Sequence, residues 1–159
     1  MPRTIPTRST PAWRRAPAVL GSLAVALLLF GFSVSGRVQA ADDTLYRAWG
    51  GEAGIRAVMQ DFVPRLAAHP RIGHFFKDTN REQLAKQLTA QLCQVAGGPC
   101  VYEGADMKAA HRDMGVGRGD FNALVEVLQQ SMERHRIPFG AQTAMLARLA
   151  PMHRDIVEP

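Results

Sequence analysis

The spacing of apolar residues after position 50 restricts this chain more than any other feature. Ile55, Val58, Met59, Phe62, Val63 and Leu66 recur at steps of three and four residues. That spacing lays one apolar stripe along a helix, whereas a strand turns alternate residues to opposite faces. The same period returns in Leu84, Leu88, Leu92 and Val95, in Phe121, Leu124, Val125, Leu128 and Met132, and in Met145, Leu146, Leu149, Ala150 and Met152. No stretch shows a convincing strand alternation. The chain is therefore expected to be all-α, with five or six helices that bury their stripes against one another.

Glycine and proline mark the ends of these helices. Gly50-Gly51 precedes the first and His69-Pro70 closes it. Pro64 lies inside it and is expected to kink it, because proline lacks the N–H and crowds the preceding turn, at about 3 kcal/mol in an ordinary helix interior. The second helix is expected to start at Thr79-Asn80, where Thr79 and Glu82 have capping-box spacing. Gly97-Gly98-Pro99 ends it, and a long open loop through Tyr102, Glu103 and Gly104 follows. Met107, Ala110, His111 and Met114 then form a short helical patch, broken by Gly115, Gly117 and Gly119.

The formal charge of +5 would suggest a nucleic-acid partner if it were clustered on the fold. It is not. Arg3, Arg8, Arg14, Arg15 and Arg37 precede Ala41 with no acidic residue among them, and they account for the whole excess. The remainder is neutral, so binding to nucleic acid is not expected. Residues 1–40 instead have the order of a secretory signal. A basic start ends at Arg14-Arg15, no charge occurs from Ala16 to Gly36, and Val38-Gln39-Ala40 offers a cleavage site. The uncharged run is also about the length that spans a bilayer, so an uncleaved anchor formed by residues 16–36 is the alternative. On either reading the leader engages the membrane or the export machinery. Residues 41–159 form one domain, exported to the periplasm or another extracytoplasmic space. Cys93 and Cys100 bracket the Gly97-Gly98-Pro99 break. A bridge there suits an oxidising compartment, and a pair of buried free thiols is the other reading.

His111 is the candidate of greatest chemical interest. It falls on the apolar side of its short patch, between Met107 and Met114, where an imidazole has few local partners. Most histidines in such places are satisfied core residues, but a neutral imidazole is also a good transition-metal ligand. His153 lies on the continuation of the last apolar stripe and is the nearest competitor. His69, His74 and His135 fall at a helix end, in a connection and between two arginines. No two histidines have the spacing of a zinc-binding helix.

Several short pieces, in one order, carry a family resemblance. They are Leu45-Tyr46 with Gly50-Gly51, Asp61-Phe62, Pro70-Arg71-Ile72 leading into Phe75-Phe76, Thr79-Asn80, and Gly97-Gly98-Pro99. Tyr102 with Gly104, Met107 with Ala110-His111, Gly115, Phe121 and Ala150-Pro151 follow. In this order, from about Thr44 to Val157, the chain resembles the truncated hemoglobins, most closely their first group. The resemblance implies a two-over-two helical sandwich around one heme b, held by burial and by one axial bond from His111 to iron. It places Phe76, Leu84, Leu88, Met107, Val116, Phe121 and Leu124 against the heme, with Leu84 and Leu88 on the ligand side. Lys86 and Lys108 are expected near the propionates. The implied function is reversible binding of dioxygen, nitric oxide or carbon monoxide, with an unknown electron donor as partner. Heme-dependent oxidation of nitric oxide is the alternative.

The chain departs from the family at the ligand side. Val63 stands where a tyrosine often holds bound oxygen, and Leu88 stands where a glutamine is common. Gln87 and Gln91 are nearby. Unless one of them turns inward, the ligand side is apolar and should release dioxygen fast. His74 and Gln87 are the nearest candidates for a sixth ligand.

Overall fold

The computed structural model describes residues 42–158. The leader, its cleavage site and the anchor alternative fall on residues 1–40 and lie outside the described residues. Among the described residues no helix is long and apolar enough to cross a membrane.

Seven α-helices and no strand occur among the described residues. A short α1 (Thr44–Ala48) leads through Gly50 and Gly51 into α2 (Gly51–Ala68). Both glycines have positive φ, +78° and +69°, a region that costs side-chain-bearing residues dearly. α2 buries the six residues of the predicted stripe. It runs on past Pro64 to Ala68. Pro64 is exposed, as is Gln60, whose carbonyl loses its usual N–H partner there. Water can satisfy that carbonyl, so the proline does not end the helix.

A 3₁₀ turn (Gly73–Phe76) carries the chain to α3 (Arg81–Val95). The cap of α3 differs from the expectation. Asn80, not Thr79, is the N-cap residue, and its Oδ1 accepts the Gln83 N–H at 3.0 Å. After the open loop comes α4 (Met107–Ala110), a single turn capped by Asp106, whose Oδ1 accepts the Ala109 N–H at 2.7 Å. α5 (Arg118–Arg134) and α6 (Phe139–Leu149) follow, and a 3₁₀ turn (Ala150–Met152) leads into α7 (His153–Ile156).

α2 packs against both α3 and α5, α6 packs on α1 and α3, and α4 meets α7. The core runs continuously through these contacts, from Leu45 and Trp49 through the α2 stripe to Leu128, Met132 and Met145. The two cysteines are joined. The Cys93–Cys100 bridge, with Cα atoms 5.7 Å apart, ties the last turn of α3 to the loop that follows it. On the outside, Asp61 of α2 holds Arg65 at 2.8 Å and Arg134 of α5 at 3.5 Å. This all-α arrangement leaves a large space beside α2 and α3.

Candidate functional site

That space is a cavity of about 630 Å³, within the size range of cofactor and ligand pockets. α2 contributes Met59, Phe62 and Leu66 to its wall, α3 contributes Leu84, Leu88 and Leu92, and α5 contributes Phe121, Leu124 and Leu128. Leu146, Leu149 and Met152 close it from the C-terminal elements. Leu84 and Leu88 are therefore only half-buried although they belong to an apolar stripe. They face the cavity rather than another helix.

His111 ends α4 rather than lying within it, and its ring stands on the cavity wall. Nδ1 is 2.8 Å from the carbonyl oxygen of Met107, one turn earlier. A carbonyl can only accept, so Nδ1 carries the proton and donates. Nε2 is left with its lone pair, the form in which imidazole binds a metal. Among the described residues no other histidine lines the cavity. The His153 ring lies edge-on to Phe121 at 4.8 Å between centroids, and the His74 ring lies against Phe75 at 4.0 Å.

The structure brings Phe76, Leu84, Leu88, Met107, His111, Phe121 and Leu124 together on this wall. Val116 stands beside this wall, on a smaller cavity of about 70 Å³ that also borders Phe76, His111, Phe121 and Leu124. It is buried there, next to Ile72 and Met114. The left-handed turn at Gly115, φ +66°, redirects the backbone just before it. Lys86 and Lys108 are exposed and contribute nothing to the wall. Val63 is packed in the core, also off the wall. Gln87 lines the cavity but is exposed, whereas Gln91 turns inward and is buried.

Sequence reasoning did not single out Met59, Tyr102 or Met152. Met59 was visible only as one more residue of the α2 stripe. Tyr102 is placed by backbone and side-chain bonds that no periodicity reveals. Its N–H donates to Gln94 Oε1 at 2.7 Å, and its hydroxyl donates to the Ala105 carbonyl at 2.9 Å.

Charge is kept off the main wall. No carboxylate, ammonium or guanidinium lines it among the described residues. One acid, Asp120, borders the smaller cavity and sits in the first turn of α5. The Gly117 N–H bonded to its carboxylate holds that carboxyl below its ordinary value. Partial desolvation opposes this shift, and the Arg71 guanidinium at 2.7 Å adds to it.

An apolar cavity with one imidazole presented from its wall fits a large, flat, mainly apolar group that needs one axial base. Comparison with known proteins agrees. The family model described as bacterial-like globin matches residues 44–158. This chain belongs to the bacterial-like globins.

Its relatives within that family are group 1 truncated hemoglobins. The one from Tetrahymena thermophila is 34% identical over 90 residues, covering 57% of this chain and 74% of the relative. The one from Synechocystis is 30% identical over 121 residues, covering 72% of this chain and 97% of the relative. The crystal structure of truncated hemoglobin from Tetrahymena pyriformis in its Fe(III) form superposes with a TM-score of 0.69 at 27% identity, covering 72% of this chain and 98% of that one. This globin thus has the two-over-two helical fold of the first truncated group, and it is a heme-binding globin. Its cavity wall and free imidazole nitrogen suit that cofactor.

Proposed function

We propose that this globin holds one heme b without covalent attachment, with His111 Nε2 as the axial ligand, and binds a diatomic gas reversibly. When bound, the heme supplies a ferrous iron that takes up dioxygen, nitric oxide or carbon monoxide. The residues of the chain do the rest. The Met107 carbonyl fixes the tautomer and orientation of His111, as an outer-shell partner does for a ligating histidine. Phe76, Leu84, Leu88, Phe121 and Leu124 offer apolar surface to a macrocycle and exclude water from its faces. Gln87 and Asn122 are exposed residues of the wall, where heme carboxylates can stay hydrated.

One observation carries the reading: among the described residues a single histidine lines the apolar cavity, with its Nδ1 already committed. The test is the absorption spectrum of the protein supplied with heme, for wild type and His111→Ala. A strong Soret band that the substitution abolishes or shifts is expected. A band unchanged by the substitution would move the ligand elsewhere, with His153 next in line.

Among the described residues the wall offers no carboxylate to act as a proton donor or acceptor, which favours simple gas binding over peroxide chemistry. Nitric oxide oxidation needs bound dioxygen and an electron donor. Conversion of nitric oxide to nitrate by the oxygenated protein is the measurement that would make this globin an enzyme. The leader directs the chain out of the cytoplasm on this proposal. The Cys93–Cys100 bridge supports it, since such bridges persist in oxidising compartments. Fractionation of cells producing the full chain would check it, and a wholly cytoplasmic globin would refute it.

A further inference from the structure

His111 is presented by a segment with little regular structure. α4 is a single turn, and His111 stands just after it. Asp113 and Gly115 then pass through positive φ, +59° and +66°. The Ala110, His111 and Met114 N–H groups all bond to carbonyls three or four residues back. Such local bonds shape the turn, but they leave open where it stands against the rest of the molecule.

Two longer-range bonds fix that place, and Glu158, beyond α7, makes both. The Glu158 N–H donates to the Val116 carbonyl at 3.0 Å, and the Gly115 N–H donates to Glu158 Oε1 at 3.1 Å. Among the described residues, these are the only hydrogen bonds that join the backbone of residues 107–116 to a distant part of the chain. One uses the backbone of Glu158 and the other its side chain, so a single residue grips two successive residues of the segment. α7 packs on α4, and Ile156, two residues before Glu158, lines both cavities beside His111. The grip is therefore anchored in the element that closes the site. Glu158 itself is exposed and lies outside the buried core.

We infer that Glu158 is a positioning residue of this globin: by gripping Gly115 and Val116 it fixes the segment that aims His111 Nε2 into the cavity. This rests on the heme reading above. An axial nitrogen has to meet iron at one distance and in one direction, and a ligand carried on an untethered turn meets it over a spread of both. The Met107 carbonyl sets which way the ring faces. Glu158 sets where the ring stands.

The experiment compares the full-length, heme-supplied protein with Glu158→Gln, Glu158→Ala and Glu158→Pro. Glutamine keeps the accepting oxygen, alanine keeps only the backbone bond, and proline, which lacks the N–H, keeps neither. Val157, at φ −87° and ψ 122°, already has the extended backbone that a residue before proline takes. The readouts are the iron–histidine stretching band just after photolysis of the carbon monoxide complex, the rate of heme transfer to an acceptor apoprotein, and hydrogen exchange of the Gly115 amide. Glu158→Gln should match wild type in all three. Glu158→Ala should lower and broaden the iron–histidine band and speed heme transfer and Gly115 exchange about fivefold, the effect of one hydrogen bond. Glu158→Pro should go further, to about twentyfold, as two such bonds are lost. An iron–histidine band unchanged in the alanine and proline variants would overturn the inference even if their melting temperatures fell, because the grip would then be structural only. A glutamine variant that behaves like alanine would overturn it too, as would unchanged Gly115 exchange in Glu158→Ala. A Soret band with no effect of the variants removes this inference alone, whereas a wild type with no Soret band removes the heme reading with it.

Discussion

Position 54 has no room for one more carbon. A Cβ there would stand 1.9 Å from the carbonyl oxygen of Trp49, which is backbone and cannot swing aside. Gly54→Ala is expected to cost about 3 kcal/mol, at the upper end for overpacking, and urea unfolding of the two proteins checks it. Val63 presents the opposite problem. Adding a tyrosine to restore the family's hydrogen bond would force a phenol into a fully packed core between α2 and its neighbours. Val63→Tyr should lose about 1–3 kcal/mol before its hydroxyl reaches any ligand, a fall that thermal melting would show. The glycine pair and His111 were legible in the sequence, the first from turn chemistry and the second from the family resemblance. The tautomer of His111 was not, because it depends on where the Met107 carbonyl points. Nor was the inward turn of Gln91, since helical periodicity puts Gln91 on the Leu84 face without saying that a cavity lies there.

Among the elements, the long helices could be read from their stripes, and α1, α4 and α7 could not be bounded that way. Four or five residues make about one turn, too little to show a period. The start of α3 was misplaced by one residue because Thr79 and Asn80 are both good capping residues, and only backbone geometry chooses between them. Asn80→Ala should therefore cost about 1 kcal/mol, and Thr79→Ala much less; paired urea titrations separate them. The loop between α3 and α4 depends on a covalent tie. Opening the Cys93–Cys100 bridge, which closes a ring with a sequence separation of 7, should cost about 2.5 kcal/mol of chain entropy. The same loop carries Tyr102 to the cavity wall and leads on to His111. Cys93→Ser with Cys100→Ser is accordingly expected to lower the melting temperature and to speed transfer of heme to an acceptor apoprotein. An unchanged transfer rate would show that the loop holds its place without the bridge.

For the molecule as a whole, family membership and the all-α class were legible, but the way α2 and α5 are clamped was not. The clamp centres on Asp61. Burial pushes its carboxyl up, yet the hydrogen bond from Arg65 and the charges of Arg65 and Arg134 outweigh this and hold it below its ordinary value. The folded protein thus binds that proton less readily than the unfolded chain does. The stabilisation is present above the unfolded value of about 4 and fades as pH falls through the depressed folded value. Asp61→Asn should cost about 1 kcal/mol at neutral pH, since the pair is mostly shielded from solvent. The gap between the two proteins should close in acid; a gap that stays constant with pH would remove the carboxylate from the explanation.

The two sulfurs of the bridge do not meet solvent equally. Cys93 is fully enclosed in the core, whereas Cys100 is partly open. An attacking thiol reaches Cys100 first, and the bond it breaks must expel a thiolate into an apolar interior, where charge is costly. The finished protein is thereby shielded from reductants. Oxidation of a reduced pair runs by the same route in reverse: an oxidant engages the partly open Cys100, and the enclosed Cys93 thiol then attacks that mixed disulfide. Cys100 is thereby the point of entry both for making the bridge and for breaking it, and the loop that carries Tyr102 toward the cavity is tied or freed from that one sulfur.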